Sequence, residues 1–309
     1  MGEDTMDLAA DHAVEAILRD ELTREHRAVA AVVPVLRHLL SSDAQALVSD
    51  AVLARVRGMV QDCAAQLLAA IEGRAPAMLD PGALDRWTAL LLDEAPLLAF
   101  CHGLAHESLL AERLQQRHAI DPVLSPLLQE LIASDDPAIA ALAMGALAAQ
   151  SRFGQSQRRM ELSLGELPAE LFHAVIALGQ CATDESARAR LERLQHGYDE
   201  GASRIGLLAR LVAAMRRGVV AALAIDHAGL PLFASALAMQ TRQPRAACVL
   251  ACHEGQGGRL ALALRAAGLS LPAIERQLLL AGPIAQMPQA LGSLSAERAA
   301  ALLGADTAL

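Results

Sequence analysis

The chain has 309 residues, of which 54% are apolar, 2% are aromatic and 20% are charged, and its formal net charge is −9. This length and apolar content are enough to bury a sizeable core, which excludes disorder for most of the chain. Lysine is absent and arginine supplies all 26 cations, which excludes a Schiff-base lysine and a phosphate loop that depends on lysine.

The negative charge is concentrated in the first half of the chain. Residues 1–151 hold 10 arginines against 22 acidic residues, whereas residues 152–309 hold 16 arginines against 13. Nucleic-acid binding needs a basic face, with interleaved aromatic residues for single strands, and neither is present at a useful density. We therefore expect a protein partner and no nucleic acid. The acidic half either attracts a basic partner or is a solvated helix surface.

No segment has the composition of a membrane span or of a secretion signal. The longest uncharged run, residues 277–296, contains two glycines and two prolines, and residues 1–15 are acidic where a signal needs basic residues. Five cysteines without a CxxC pair are typical of reduced thiols. The sequence predicts a soluble cytoplasmic protein.

Two long helices are predicted before the first break in the chain. Apolar residues recur at steps of three and four in residues 29–40 and again in residues 53–71. Ser42 or Asp43 is the expected N-cap of the second helix. Residues 1–78 are therefore predicted to form an N-terminal helical hairpin or bundle. Two helices cannot bury their apolar seams alone, so we expect homo-oligomerisation through them.

A run of shorter helices is predicted to follow the breakers at residues 73–82. No window shows the alternation of a half-buried strand, so an all-α fold is expected. The sequence LLQELIASDDPAIAALAMGALAAQ, residues 127–150, resembles a HEAT-type repeat: an apolar helix, an Asp-Pro turn and an Ala-rich second helix. Ala140 and Ala141 stand where that family often has arginine. The resemblance implies an α-solenoid of HEAT-like helical pairs over residues 79–217, with a partner on its concave face.

A second repetition lies near the C-terminus. VAALAIDHAGLPL at residues 220–232 is echoed by RLALALRAAGLSL at residues 259–271. The shared Ala-Gly-Leu predicts that helices end at Gly229 and Gly268 in the left-handed conformation, and that Pro231 and Pro272 start the next helices. Residues 218–309 are predicted to form C-terminal helical pairs packed on the solenoid. This stretch resembles the end of an uncharacterised helical-repeat family common in alphaproteobacteria.

The densest group of potential ligands is Cys101, His102, His106 and Glu107. His102 and His106 are four residues apart, so on a helix their side chains are neighbours that a metal ion can bridge. Further ligands would come from another helix, and the candidates are His26, His38, and His118 with Asp121. His102 also lies on an apolar stripe, which is the pattern of a packed histidine.

A second cluster contains Cys248, Cys252 and His253. The two thiols are one helical turn apart, and Arg245 is the only nearby cation that favours a thiolate. Cysteine among Ala, Val and Leu usually behaves as a small apolar residue. The following EGQGGR, residues 254–259, is predicted to be the loop of a helical hairpin, because no strand precedes it.

These patterns contain no coherent catalytic set, and the Gly-x-Ser-x-Gly motif is absent. The sequence predicts a non-catalytic protein-interaction or regulatory scaffold, with no catalytic residue and no cofactor. The alternative hypotheses are a helical metal-binding or redox-sensing module that uses Cys101, His102 and His106, and an uncharacterised enzyme.

Overall fold

A computed structural model describes residues 14–23, 25–27, 29–30, 32–34, 36, 49–180, 185–253, 257–282 and 289–306. In these ranges every regular element is a helix and no strand occurs, so the predicted all-α class is confirmed. The described residues between 14 and 36 are helical as well. The expected caps Ser42 and Asp43 lie outside the described residues.

The helices with defined bounds are numbered in chain order. They are α1 Asp50–Glu72, α2 Pro81–Leu92, α3 Ala95–His118, α4 Pro126–Ile132, α5 Pro137–Arg159, α6 Ala169–Gln180, α7 Glu185–His196, α8 Arg204–Ala214, α9 Ile225–Thr241, α10 Arg245–Ala251, α11 Gly257–Ala266, α12 Leu271–Ala281 and α13 Ala296–Asp306. Short 3₁₀ segments lie between some of them, at Pro76–Met78, Leu164–Glu166, Glu200–Ala202, Arg216–Leu223 and Gln289–Gly292.

Across the described ranges, no single helix is long and apolar enough to cross a membrane. Two strongly bent pairs meet the length and composition of a span only when their members are joined. These are α2 with α3, bent by 92°, and Arg216–Leu223 with α9, bent by 118°.

The chain forms two compact units, and each is assembled from segments that are distant in sequence. The first unit consists of Met1–Ala31, Leu109–Ala133 and Val212–Leu309, and the second consists of Val32–Ser108 and Ser134–Leu211. The domain ranges 1–78, 79–217 and 218–309 expected from the sequence run in chain order, and they stay a prediction.

In the second unit, α1 is the helix around which others pack. Its predicted apolar stripe is buried at Val56, Val60, Cys63 and Leu67, and α2, α6 and α7 all contact it. The helix ends as the breakers predict, because Gly73 adopts a positive φ of 67° and its N–H bonds to a carbonyl of the last turn. The apolar stripe of α1 therefore organises this unit.

Small residues bring the helices of the second unit close together. A Cβ atom on Gly58 of α1 would lie 2.5 Å from the Met160 Cβ, and one on Gly179 of α6 would lie 3.1 Å from Leu67. On α5, Ala143 and Ala146 are fully buried. Small residues at these positions therefore let neighbouring segments of the second unit approach closely.

The predicted turn at Asp135–Asp136–Pro137 is confirmed. The Asp136 carboxylate accepts a hydrogen bond from the Ala138 N–H at 2.9 Å, and Pro137 occupies the first position of α5. The preceding helix α4 belongs to the first unit, whereas α5 belongs to the second.

In the first unit, both glycines of the C-terminal repetition interrupt helices as predicted. Gly229 has φ 70° and ψ 158° and breaks α9 before Pro231, and Gly268 has φ 86° just beyond the end of α11. Helix α9 packs against α4, α10 and α11, and α11 packs against α12 and α13. A Cβ atom on Gly229 would lie 3.2 Å from the Cβ of Ser125, whereas Gly268 has open space around it.

Candidate functional site

The predicted ligand cluster lies on the part of α3 that belongs to the second unit. Cys101 and His102 are buried and His106 is half-buried. The centroids of the two histidine rings are 4.3 Å apart and the ring planes meet at 64°, an edge-to-face contact. Helical spacing therefore brings the two histidines together as expected.

The surroundings of this cluster keep its thiol neutral. Burial raises the pKa of Cys101 to about 12, so the thiol is protonated at pH 7, whereas a nucleophile needs the thiolate. Within the described ranges, no group of three or more His, Cys, Asp or Glu side chains is placed to hold a metal ion. The expected extra ligands His26, His118 and Asp121 belong to the first unit, and His38 lies outside the described residues.

The fourth residue of the cluster, Glu107, forms a buried ion pair with Arg204, the first residue of α8. The exposed fractions of the two side chains are 1% and 2%. The guanidinium donates from Nη1 to Oε1 at 2.7 Å and from Nη2 to Oε2 at 2.9 Å, which is a bidentate pair. Arginine suits this position because its planar fork matches a carboxylate.

Two further side chains fix the guanidinium of Arg204. Its Nη1 also donates to Oε1 of Gln150 at 3.1 Å, and its central carbon lies 3.7 Å from the centre of the Phe153 ring. Both partners are on α5. The main-chain N–H of Arg204 donates to Oε2 of Glu166 at 2.7 Å, so a carboxylate stands at the start of α8. Arg204 thus joins α3, α5 and α8 through its side chain.

A cavity of about 190 Å3 lies beside this arginine, within the second unit. Its apolar wall consists of Phe100, Leu104, Phe153, Leu162 and Ile205. Arg204 contributes to its polar wall together with Gln157 of α5. The cavity therefore combines aromatic and aliphatic surface with a few fixed polar groups, as small-molecule sites do.

Gln157 is the polar group of the cavity whose hydrogen bonds are incomplete. Its exposed fraction is 2%, and its Nε2 donates to the Sδ of Met59 at 3.2 Å. Its Oε1 is buried and has no hydrogen-bond partner in the described part of the chain. Buried carbonyl oxygens usually have a donor, so this oxygen departs from the usual pattern.

The loop that closes one side of the cavity is held by polar side chains of α1. The Asp62 carboxylate accepts from the Leu162 N–H at 2.9 Å, and Gln66 both donates to the Leu162 carbonyl at 2.9 Å and accepts from the Leu164 N–H at 3.0 Å. Burial raises the pKa of Asp62, and the Leu162 N–H offsets part of that rise. These hydrogen bonds attach the main chain of the loop to α1.

The second predicted cluster lies in the first unit, and its thiols are also protonated. Cys248 and Cys252 are both buried, and the Cys252 thiol donates to the Cys248 carbonyl at 3.4 Å. Burial raises the pKa of Cys248 to about 11 and that of Cys252 further still. Both thiols are neutral at pH 7. The predicted loop at residues 254–259 falls partly outside the described residues.

Arg204, Gln150 and Gln157 were missed by sequence reasoning, although a signal was present. Gln150 and Gln157 lie on the same helix face as the buried alanines of α5, and Glu107 lies on the same face of α3 as Leu104. A polar residue on an otherwise apolar helix face needs a buried partner. The pattern identifies positions that require a partner, but it does not say which residue supplies it.

Comparison of the chain with protein-family models, with curated proteins and with solved structures found no match.

Proposed function

We propose that this chain is a non-catalytic protein-interaction or regulatory scaffold that works in the cytoplasm. The proposal includes the finer architecture expected from the sequence, an N-terminal long-helix hairpin followed by HEAT-like helical pairs. It also includes the likeness of the C-terminal part to the alphaproteobacterial helical-repeat family. Self-association through the N-terminal helices is part of it.

The observation that carries the proposal is the pairing of helices that follow each other in the chain. Helix α1 contacts α2 and α6 contacts α7 in the second unit, while α9 contacts α10 and α11 contacts α12 in the first. Successive helical pairs are the building blocks of repeat scaffolds, which use extended surfaces to bind other proteins.

The state of the chemically capable side chains is consistent with this proposal. The thiol of Cys101 has its pKa raised by burial, and the Glu107 carboxylate is occupied by Arg204. Groups in such environments contribute to packing and to the specificity of the fold. The metal-binding or redox-sensing module on Cys101, His102 and His106 stays the competing proposal.

The acidic charge of the first half of the chain provides a way to test for a protein partner. Because residues 1–151 are strongly acidic, we propose a basic partner whose complex weakens as salt concentration rises. The full chain, immobilised, is incubated with lysate of the source organism, and bound proteins are eluted with a salt gradient. The double variant Asp85→Arg/Asp135→Arg is compared with Glu192→Arg/Glu275→Arg, since all four residues are exposed.

We expect one basic protein in near-stoichiometric amount, with its elution shifted to lower salt by the first double variant and less by the second. Elemental analysis of the purified chain accompanies the capture, because stoichiometric iron or zinc would contradict a scaffold that needs no metal. Absence of a salt-sensitive stoichiometric partner would also contradict the proposal. Light scattering of the purified chain measures its self-association.

A further inference from the structure

The first part of α5 has an exposed face without charge. Residues 137–151 contain no Asp, Glu, Arg, Lys or His. One side of this stretch is open to solvent at Pro137, Ala141, Met144 and Ala148. The exposed fraction of Met144 is 52%. A surface helix normally carries charged or polar residues on its exposed side, so this side has the composition of a surface that a partner covers.

Another helix of the second unit has the usual pattern, which shows that the lack of charge is particular to α5. Helix α7 buries Ala187 and Leu191. Its exposed side carries four charged residues, which are Glu185, Arg188, Glu192 and Arg193. The uncharged face of α5 therefore requires its own explanation.

Opposite charges lie at the two ends of the uncharged face. Asp135 and Asp136 precede it, and Arg152 follows Ala148 by four residues, which places it on the same side of the helix. All three charged side chains are exposed. Asp136 and Arg152 are 16 positions apart, which corresponds to about 24 Å along the helix axis. They are too far apart to pair with each other within one chain.

This arrangement of charges is complementary to a second copy of itself. When two copies of α5 lie antiparallel and cross at Met144, Asp136 of each copy lies opposite Arg152 of the other, because both residues are eight positions from Met144. Parallel helices in register would instead bring like charges together. A basic partner would meet Arg152 at one end of the face, whereas a second copy meets opposite charge at both ends.

The residues between the charged ends allow two helices to pack closely. Ala141 and Ala148 are exposed, and Ala140 and Gly145 beside them are half-buried. Side chains of this size let helix axes approach to about 8 Å. Met144 then lies at the crossing point, next to the same residue of the second copy, where its flexible side chain adapts to the contact.

From these observations we infer that the chain forms a two-fold symmetric dimer in which α5 of one copy packs antiparallel against α5 of a second copy. Both copies use the same patch, and the two Asp136–Arg152 pairs are related by the two-fold axis. The inference goes beyond the proposed function, whose self-association uses the N-terminal helices, and it does not depend on a partner of another kind.

Sedimentation equilibrium of the full chain measures this dimer. A contact made by one pair of helices is small beside a standard interface of roughly 800 Å2 per partner, so we expect a dissociation constant on the order of 10 µM. Met144→Glu places two carboxylates against each other at the crossing point and should weaken the dimer at least about 100-fold. Met239→Glu is the matched control, since Met239 is 41% exposed on α9. It should leave the dissociation constant unchanged.

A second pair of variants tests the charged ends of the face. Arg152→Glu turns both attractive pairs into repulsive ones and should weaken the dimer about tenfold. Arg188→Glu makes the same change on the exposed side of α7 and should have no effect on the dimer. Circular dichroism of each variant verifies that the helical fold is retained.

The variant Met144→Cys locates the contact directly. With glutathione disulfide as the oxidant, the two introduced thiols are oxidised to one disulfide while the glutathione disulfide is reduced to two glutathione molecules. We expect a covalent dimer that neither the wild-type chain nor Met239→Cys forms under the same conditions.

Three results would overturn the inference: a chain that stays monomeric up to about 200 µM, equal effects of Met144→Glu and Met239→Glu, or a dimer that Met144→Glu leaves intact. The last result would assign self-association to another surface such as the N-terminal helices, so the proposed function would stand while this inference fails. If Met144→Glu does not fold, Met144→Cys decides, because a dimeric chain without the covalent link would exclude a contact at Met144.

Discussion

Removing one partner of the buried ion pair between Glu107 and Arg204 should destabilise the chain far more than removing one partner of an exposed pair. Arg159 and Glu161 provide the comparison, because their shortest N–O distance is also 2.7 Å while their side chains are 59% and 41% exposed. The buried pair has exposed fractions of 2% and 1%. The two pairs therefore differ in burial and in contacts, because the buried pair is bidentate and its guanidinium also donates to Gln150.

The expected magnitudes follow from what each substitution leaves behind. Glu107→Gln takes the countercharge from a buried guanidinium, which costs about 3–5 kcal/mol of unfolding free energy. Glu161→Gln acts on a solvated pair and should cost roughly 0–1 kcal/mol. The double variant Glu107→Leu/Arg204→Met removes both charges together and should recover most of the loss, since two apolar side chains of similar size need no partner.

Urea denaturation followed by circular dichroism gives these free energies from one set of curves. If Glu107→Gln is too unstable to fold, the double variant still decides, because it is expected to fold. Two results would refute the reasoning: a loss below about 1 kcal/mol for Glu107→Gln, or a double variant that is less stable than Glu107→Gln.

Two further predictions concern the first unit. Gly229→Ala should lower the free energy of unfolding by about 2–3 kcal/mol, and Gly268→Ala should lower it by about 1 kcal/mol. Both positions need a positive φ, but only Gly229 lies against Ser125 and has a ψ restricted to glycine. Equal losses for the two variants in urea denaturation would contradict the assigned backbone. Burial raises the Cys248 pKa to about 11, so its stabilising contribution is complete below pH 9 and is lost as pH rises from 9 toward 11. Cys248→Ala lowers the free energy of unfolding, and this loss should therefore become about 2 kcal/mol smaller between pH 8 and pH 10.5. A loss that does not change with pH would show that the thiol is not buried as described.

Features set by neighbouring residues could be predicted from the sequence. The end of α1 at Gly73, the start of α5 at Asp136 and Pro137, and the positive φ of Gly229 each follow from a few adjacent positions. The local backbone chemistry of glycine, proline and aspartate decides such features with little help from the rest of the chain.

The candidate site could be predicted only in part, because its residues are far apart in sequence. Glu107 was selected as a potential ligand for its position beside His106, yet its partner Arg204 is 97 positions away. Sequence spacing carries no information about a pairing of that kind. The cavity depends in the same way on how α3, α5 and α8 pack, and no local pattern specifies a volume between helices.

Asp62 and Gln66 form hydrogen bonds to the loop beside the cavity only through the peptide groups of Leu162 and Leu164. Every amino acid except proline offers the same N–H and C=O, so the identity of Glu161 and Ser163 is not dictated by this attachment. Both residues line the cavity. These two side chains can accordingly be exchanged, and with them the chemistry of this part of the cavity wall, while the main-chain attachment of the loop to α1 stays the same.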